Sequence, residues 1–154
     1  MSTYKGKFTP RFPEKYKGSV DNIVYRSSWE LTFMRHLDAN PKVIEWASEE
    51  FHIKYLSPVD RAYHRYFPDF LVKYRKPDGS FETWLVEVKP KAQTMLPEQT
   101  KNRRRMKKEL LTWAVNQAKW EAAKRFCADR LWKFRVVTEV DLFPHQTRKT
   151  RYVK

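Results

Sequence analysis

The stretch from Phe67 to Lys89 constrains this chain more than any other. Two apolar segments, Phe67-Pro68-Asp69-Phe70-Leu71-Val72-Lys73-Tyr74 and Trp84-Leu85-Val86-Glu87-Val88-Lys89, flank Lys76-Pro77-Asp78-Gly79, which has the residues of a tight turn. That pattern reads as two adjacent strands of a hairpin. Side chains alternate across a strand. Asp69 therefore projects away from the face of Phe70 and Val72, and Glu87 and Lys89 project away from the face of Trp84, Val86 and Val88. The hairpin sets Asp69 near Glu87, with Lys89 beside them. Two carboxylates brought together raise each other's pKa, and such a pair is best tolerated around a cation. Hard oxygen ligands suit Mg²⁺ or Mn²⁺, and a lysine beside them can hold water or neutralise charge growing on a phosphate. The competing reading is a surface ion pair between Glu87 and Lys89, with Asp69 merely ending a turn.

The elements around the hairpin predict the rest of the core. Residues 27–39 carry Trp29, Phe33, Met34 and Leu37 at helical spacing, and Asn40-Pro41 stops the helix. Residues 50–56 alternate like a half-buried strand, a second strand is expected over 63–74 and a third over 81–89. Glu98 to Cys127 reads as mostly helical, with a stripe of Met106, Leu110, Trp113, Trp120, Ala123 and Cys127. Residues 132–138 form the last strand. The order is helix, three strands, helix, strand. Three strands in a meander and a fourth added in parallel after a crossover helix give an α/β fold, a mixed sheet flanked by helices.

Charge indicates the partner. There are 32 basic against 18 acidic side chains, a net +14, and an excess of this size points to a polyanion, nucleic acid first. Residues 1–18 hold five basic residues against Glu14 and read as a basic N-terminal arm. Residues 144–154, with Arg148, Lys149, Arg151 and Lys154, read as a basic tail, leaving 19–143 as the folded domain. Lys101, Arg103, Arg104, Arg105, Lys107 and Lys108 crowd the start of the long helix. Positive charge there opposes the helix dipole, so the cluster makes more sense against phosphates. His64, on the strand before Asp69, is a further candidate for phosphate contact. No apolar run approaches membrane-spanning length, and no signal peptide is expected. One cysteine, Cys127, excludes an intramolecular disulfide and suits a reducing compartment. Four histidines without Cys/His spacing offer no zinc site.

Pro68-Asp69 followed by Glu87-Val88-Lys89 resembles the P-D…(D/E)-x-K signature of the restriction-endonuclease-like nucleases, and the element order resembles their core. The resemblance implies a restriction-endonuclease-like fold and a deoxyribonuclease using Mg²⁺ or Mn²⁺, with Asp69, Glu87 and Lys89 catalytic. It implies that an acid on the first helix, Glu30, completes the metal site. Glu30 also stands where a capping box with Ser27 would place it. Tyr25-Arg26-Ser27-Ser28-Trp29-Glu30 is similar to the endonuclease subunit of heteromeric transposases. Arg26 is a candidate for the scissile phosphate, or only a cover for the helix start. Gln117, between Trp113 and Trp120, is a candidate polar residue reaching the site from the long helix, or only a core amide.

Residues 4–10, 22–30, 45–50 and 66–70 together resemble the nucleases that complete the heads of T-even-type tailed bacteriophages. That likeness implies action on a packaged, double-stranded genome end, with portal, neck or head proteins as partners, in the host cytoplasm during assembly and then in the virion. A nuclease of transposition, repair or restriction, and a non-catalytic DNA-end plug or connector of the phage neck, are the alternatives.

Overall fold

The computed structural model describes residues 5–144; residues 145–154 of the expected tail, with their four basic side chains, lie outside them. Strands β1 (Gly6–Lys7) and β2 (Val24–Tyr25) pair antiparallel near the N-terminus. Helix α1 (Ser28–Ala39) follows, started by Ser27, whose hydroxyl accepts the Glu30 N–H. Asn40, in an extended conformation, ends it. Strands β3 (Val43–Ser48), β4 (Ile53–Leu56), β5 (Tyr63–Tyr66), β6 (Phe70–Arg75) and β7 (Phe81–Val88) come next, then helix α2 (Arg103–Asp129) and strand β8 (Lys133–Val137).

The central sheet has the order β3-β6-β7-β8, antiparallel except for the β7–β8 pair. This is the mixed α/β architecture expected of a restriction-endonuclease-like core. The first strand of the meander differs from expectation. It is β3, and the alternating stretch 50–56 supplies β4, which pairs with β5 in a separate two-stranded ribbon. The expected strand over 63–74 is accordingly broken at Phe67-Pro68-Asp69, where Pro68 has no N–H to give to a ladder. The Lys76–Gly79 turn forms as read. Asp78 accepts from the Ser80 N–H at 2.9 Å, and Gly79 takes φ +87°, a conformation that favours glycine.

Alternation along β7 divides two cores. Val86 and Val88, with Phe70 and Val72 of β6, pack against Phe33, Met34 and Leu37 of α1. Leu85 faces the other way, to Trp120, Ala123 and Cys127 of α2 and to Ile53, Tyr55 and Tyr66 of the ribbon. Helix α2 starts at Arg103 rather than Glu98, because the Asn102 side chain caps it by accepting the Arg105 N–H at 3.1 Å.

The segment read as a basic N-terminal arm is packed on the domain as far as it is described. The Tyr16 ring meets Trp46 edge-on at 4.8 Å and is 5% exposed. Lys15 donates to the carbonyls of Leu37, Asp38 and Asn40 at 2.7, 2.8 and 2.9 Å, satisfying the C-terminal end of α1. The Asp38 carboxylate in turn accepts the N–H groups of Arg11 and Phe12. Aromatic residues interleaved with the lysines anchor the segment, and the basic count alone does not reveal them.

Candidate active site

The register of β6 on β7 pairs Phe70 with Val86, so the next position along brings Asp69 opposite Glu87. The ladder ends there, and side chains take over from it. The Asp69 N–H donates to Glu87 Oε1 at 3.0 Å, and the Val88 N–H donates to Asp69 Oδ2 at 2.8 Å. Each carboxylate is thus fixed by the backbone of the opposing strand. Glu87 is 4% exposed. Burial raises the pKa of Asp69, and the Glu87 charge raises it further. Burial also raises that of Glu87, against the pull of Lys89. Lys89 follows on the same face, and among the described residues it makes no ion pair with Glu87 within 4 Å. The surface-ion-pair reading of Glu87 and Lys89 therefore has no close approach to support it.

Glu30 enters from the first turn of α1. Ser27 caps the helix, but the reciprocal arm of a capping box, from the Ser27 N–H to the Glu30 carboxylate, is not made. The carboxylate instead stands among charges. Burial raises its pKa most, then Glu49, with Glu87 adding to it and Arg26 opposing. Arg26 forms an ion pair with Glu49.

Glu49 is a site residue that sequence reasoning does not find. It directly follows β3 and has φ +50°, a left-handed conformation uncommon for a non-glycine residue. Burial raises its pKa, as does Glu87, against Arg26. Lys119 is a second. From the middle of α2 its ammonium feels the charges of Lys89, Glu87 and Asp69, and burial lowers its pKa first of all. It lies 5.8 Å from the ring centres of both Tyr55 and Tyr66. The Tyr66 hydroxyl is buried close to Glu87 without a well-aligned hydrogen bond, and its pKa is raised by burial and by that carboxylate.

The structure thus brings together Glu30, Asp69, Glu87 and Lys89, with Arg26 at the rim. Gln117 is half-buried on α2 and no side-chain hydrogen bond ties it to these acids among the described residues; Lys119, two positions on, reaches the acids from α2. His64 is exposed on the ribbon, its Nε2 2.7 Å from Asp60. Lys101, Arg103, Arg104, Arg105, Lys107 and Lys108 are all exposed at or before the start of α2.

Among the described residues no three acid, imidazole or thiol side chains stand close enough together to enclose a metal ion by themselves. The donor set still fits a small hard cation. Asp69 and Glu87 offer adjacent carboxylate oxygens, held by backbone N–H groups, and burial disfavours both charges when no counter-charge is near. Mg²⁺ retains several waters and takes only one or two protein carboxylates.

Two comparisons show what the chain is similar to. The model of the TnsA-like endonuclease N-terminal family matches residues 40–139, a span that holds Glu49, Asp69, Glu87, Lys89 and Lys119. The head completion nuclease of Enterobacteria phage T4 is 38% identical over 141 residues, covering 88% of this chain and 91% of that protein.

Proposed function

The chain belongs to the TnsA-like endonuclease N-terminal family, and from that premise we propose that it is a metal-dependent deoxyribonuclease, hydrolysing phosphodiester bonds at Asp69, Glu87 and Lys89. The observation that carries the reading is the pair of acids fixed face to face at the end of β6 and β7, with Lys89 on the same face. Asp69 and Glu87 would hold Mg²⁺ or Mn²⁺, with Glu30 acting on it through one of the waters such an ion retains. Such an ion, when bound, polarises a phosphate oxygen and lowers the pKa of a coordinated water. Lys89 sets its ammonium against the scissile phosphate, holds the attacking water and offsets charge that grows on the phosphate. Lys119 adds a second cation on the α2 side of the acids. Arg26, released from Glu49, is placed to bind a neighbouring phosphate. The basic residues 101–108 supply affinity for the backbone of DNA.

The relative's name extends the proposal to its setting, the completion of a phage head, with double-stranded DNA as substrate and head or neck proteins as partners. The protein would then work in the host cytoplasm during assembly and stay in the virion. Mass spectrometry of purified mature particles tests this. The chain's absence from them would favour the second reading, a nuclease of another pathway such as transposition, which the family match supports.

The catalytic claim is tested by Asp69→Ala with Mg²⁺ and plasmid DNA. Cleavage should fall at least about 100-fold, in the range seen when one charge-stabilising group is removed, while the circular dichroism spectrum keeps its folded form. Full activity would overturn the site, whereas wild-type protein that binds DNA without cutting it in Mg²⁺ would leave the DNA-end plug in place of the nuclease.

A further inference from the structure

A groove of about 670 Å³, lined by none of the site's four acids, opens along the first half of α2. One wall is the 92–100 segment, which begins three residues after Lys89. The other is α2, from Asn116, one turn short of Lys119, back to Arg105. The α2 wall therefore stops one helical turn short of Lys119, whose ammonium feels the charges of Glu87 and Asp69. Residues 105, 108, 112, 116 and 119 follow one another at steps of three or four, the spacing of a single helix face. Fourteen residues at 1.5 Å each make that row roughly 21 Å long, the axial span of about six base-pair steps. Along it stand Arg105, Lys108, Thr112, Asn116 and finally Lys119.

The basic cluster is thereby split. Arg105 and Lys108 line the groove. Arg103 and Lys107 lie on another side of the helix, around the apolar surface of Met106, Leu110 and Leu111. Lys108 makes no ion pair among the described residues. Arg105 is held by Glu109, which also lines the groove, at 2.9 Å.

We propose that this groove is the track by which one DNA strand reaches the acids, with Lys108 and Arg105 carrying its phosphates. Glu109 acts as a brake on binding, since a phosphate must displace it from Arg105. The proposal rests on the nuclease reading for its ligand. Phosphate is favoured over an acidic peptide because the helix face that lines the groove continues, one turn on, to Lys119 and the proposed nuclease site.

The test measures binding of a short duplex to the full-length protein without divalent metal, over 50 to 200 mM salt. Each phosphate left without its cationic partner should lower the slope of log affinity against log salt by about 0.9. Arg105→Gln with Lys108→Gln should lower it by about 1.8, so that the variant loses about 12-fold less affinity than wild type across that fourfold range. Arg103→Gln with Lys107→Gln should lower it by less than half as much. Glu109→Gln should tighten binding severalfold at low salt. Gln preserves helix propensity, so folding is a minor confounder. Equal slopes for the two pairs, or a Glu109→Gln protein no tighter than wild type, would overturn the track and leave a diffuse basic surface. Loss of poly-glutamate binding by Arg105→Gln/Lys108→Gln with DNA binding intact would overturn it in favour of a peptide. Wild-type protein that binds DNA with these differences but does not cut it in Mg²⁺ would sink the nuclease reading and leave the track standing.

Discussion

Glu30 separates a role in catalysis from a role in folding, because the structure divides the two between neighbours. Ser27 caps α1 through its hydroxyl at 3.1 Å from the Glu30 nitrogen. The Glu30 carboxylate makes no return bond to the Ser27 N–H; it keeps only a long contact, 3.5 Å, with the Ser27 hydroxyl and faces Glu49, Arg26 and Glu87. Ser27→Ala should therefore cost about 1 kcal/mol, the usual value of a missing cap, or about 2–4 °C in Tm for a chain of this size. Its cleavage rate should stay within about twofold of wild type. Glu30→Gln should do the reverse. The backbone cap bond is kept, Gln can still accept the long contact from the Ser27 hydroxyl, and a charge that burial and Glu49 both disfavour is removed. The sign follows from the raised pKa: the folded state holds the proton more tightly, so wild-type stability falls as pH rises above the ordinary carboxylate range. The variant should equal wild type near pH 4 and be slightly more stable at pH 7, in metal-free buffer. Its cleavage should fall about 100-fold, roughly 2.7 kcal/mol of transition-state stabilisation, and the Mg²⁺ concentration for half-maximal rate should rise. Thermal denaturation and single-turnover cleavage across a Mg²⁺ series measure both arms. A Glu30→Gln protein that is active and destabilised like Ser27→Ala would refute the reasoning and return Glu30 to its helix.

Lys89→Ala should lose most of the cleavage rate while Mn²⁺ affinity, followed by calorimetry, stays near wild type; affinity falling in step with rate would make Lys89 a support of the metal site. Lys15→Met should destabilise by about 2 kcal/mol, since three carbonyls at the end of α1 lose a charged donor that is only half-buried. That corresponds to about 4–8 °C in Tm, and an unchanged Tm would mean that residues 5–18 are dispensable to the fold. Cys127 is 1% exposed, with its thiol pushed up to about 11 by burial. Alkylation at pH 8 should be negligible in native protein and complete in denaturant, and rapid native labelling would show that α2 opens from the sheet.

The fold is legible in the sequence where period and breakers agree. The turn from Lys76 to Gly79, the two strands it joins and the cap at Ser27 all follow from local chemistry, and all are found. Strand β3 escapes such reading because a bulge between Val43 and Glu45 disturbs its alternation, which leaves a short apolar run with no period to read. Residues 53–56 alternate cleanly, yet alternation reports a half-buried strand and not its partner. Their partner is β5, and the central sheet excludes both. The long helix is legible too, but periodicity draws its buried face through Trp113 and Leu110. Of the stripe read from the sequence, Trp120, Ala123 and Cys127 are buried, joined by Asn116, whereas Met106, Leu110 and Trp113 are not, so the buried face is rotated from the stripe only in the first part of α2.

The same rotation explains why periodicity selects Gln117 and passes over Lys119. A lysine on a helix is read as solvated, and only the packing of α2 across β7 shows that this one faces acids. Glu49 is illegible for a different reason. It lies outside the hairpin signature and joins the site because β3 lies beside β6 and ends where Asp69 begins the next strand. The four acids thus come from separate pieces of chain: Glu30 from α1, Glu49 from the end of β3, Asp69 from the bend before β6 and Glu87 from β7 itself. All four pKa values are raised, with burial the first cause in each. An arrangement that disfavours its own charges does not stabilise the fold; the two apolar cores on either side of the sheet hold it in place. Removing single acids should therefore leave the protein folded and change its chemistry, which is the behaviour expected of residues placed for function at a cost in stability.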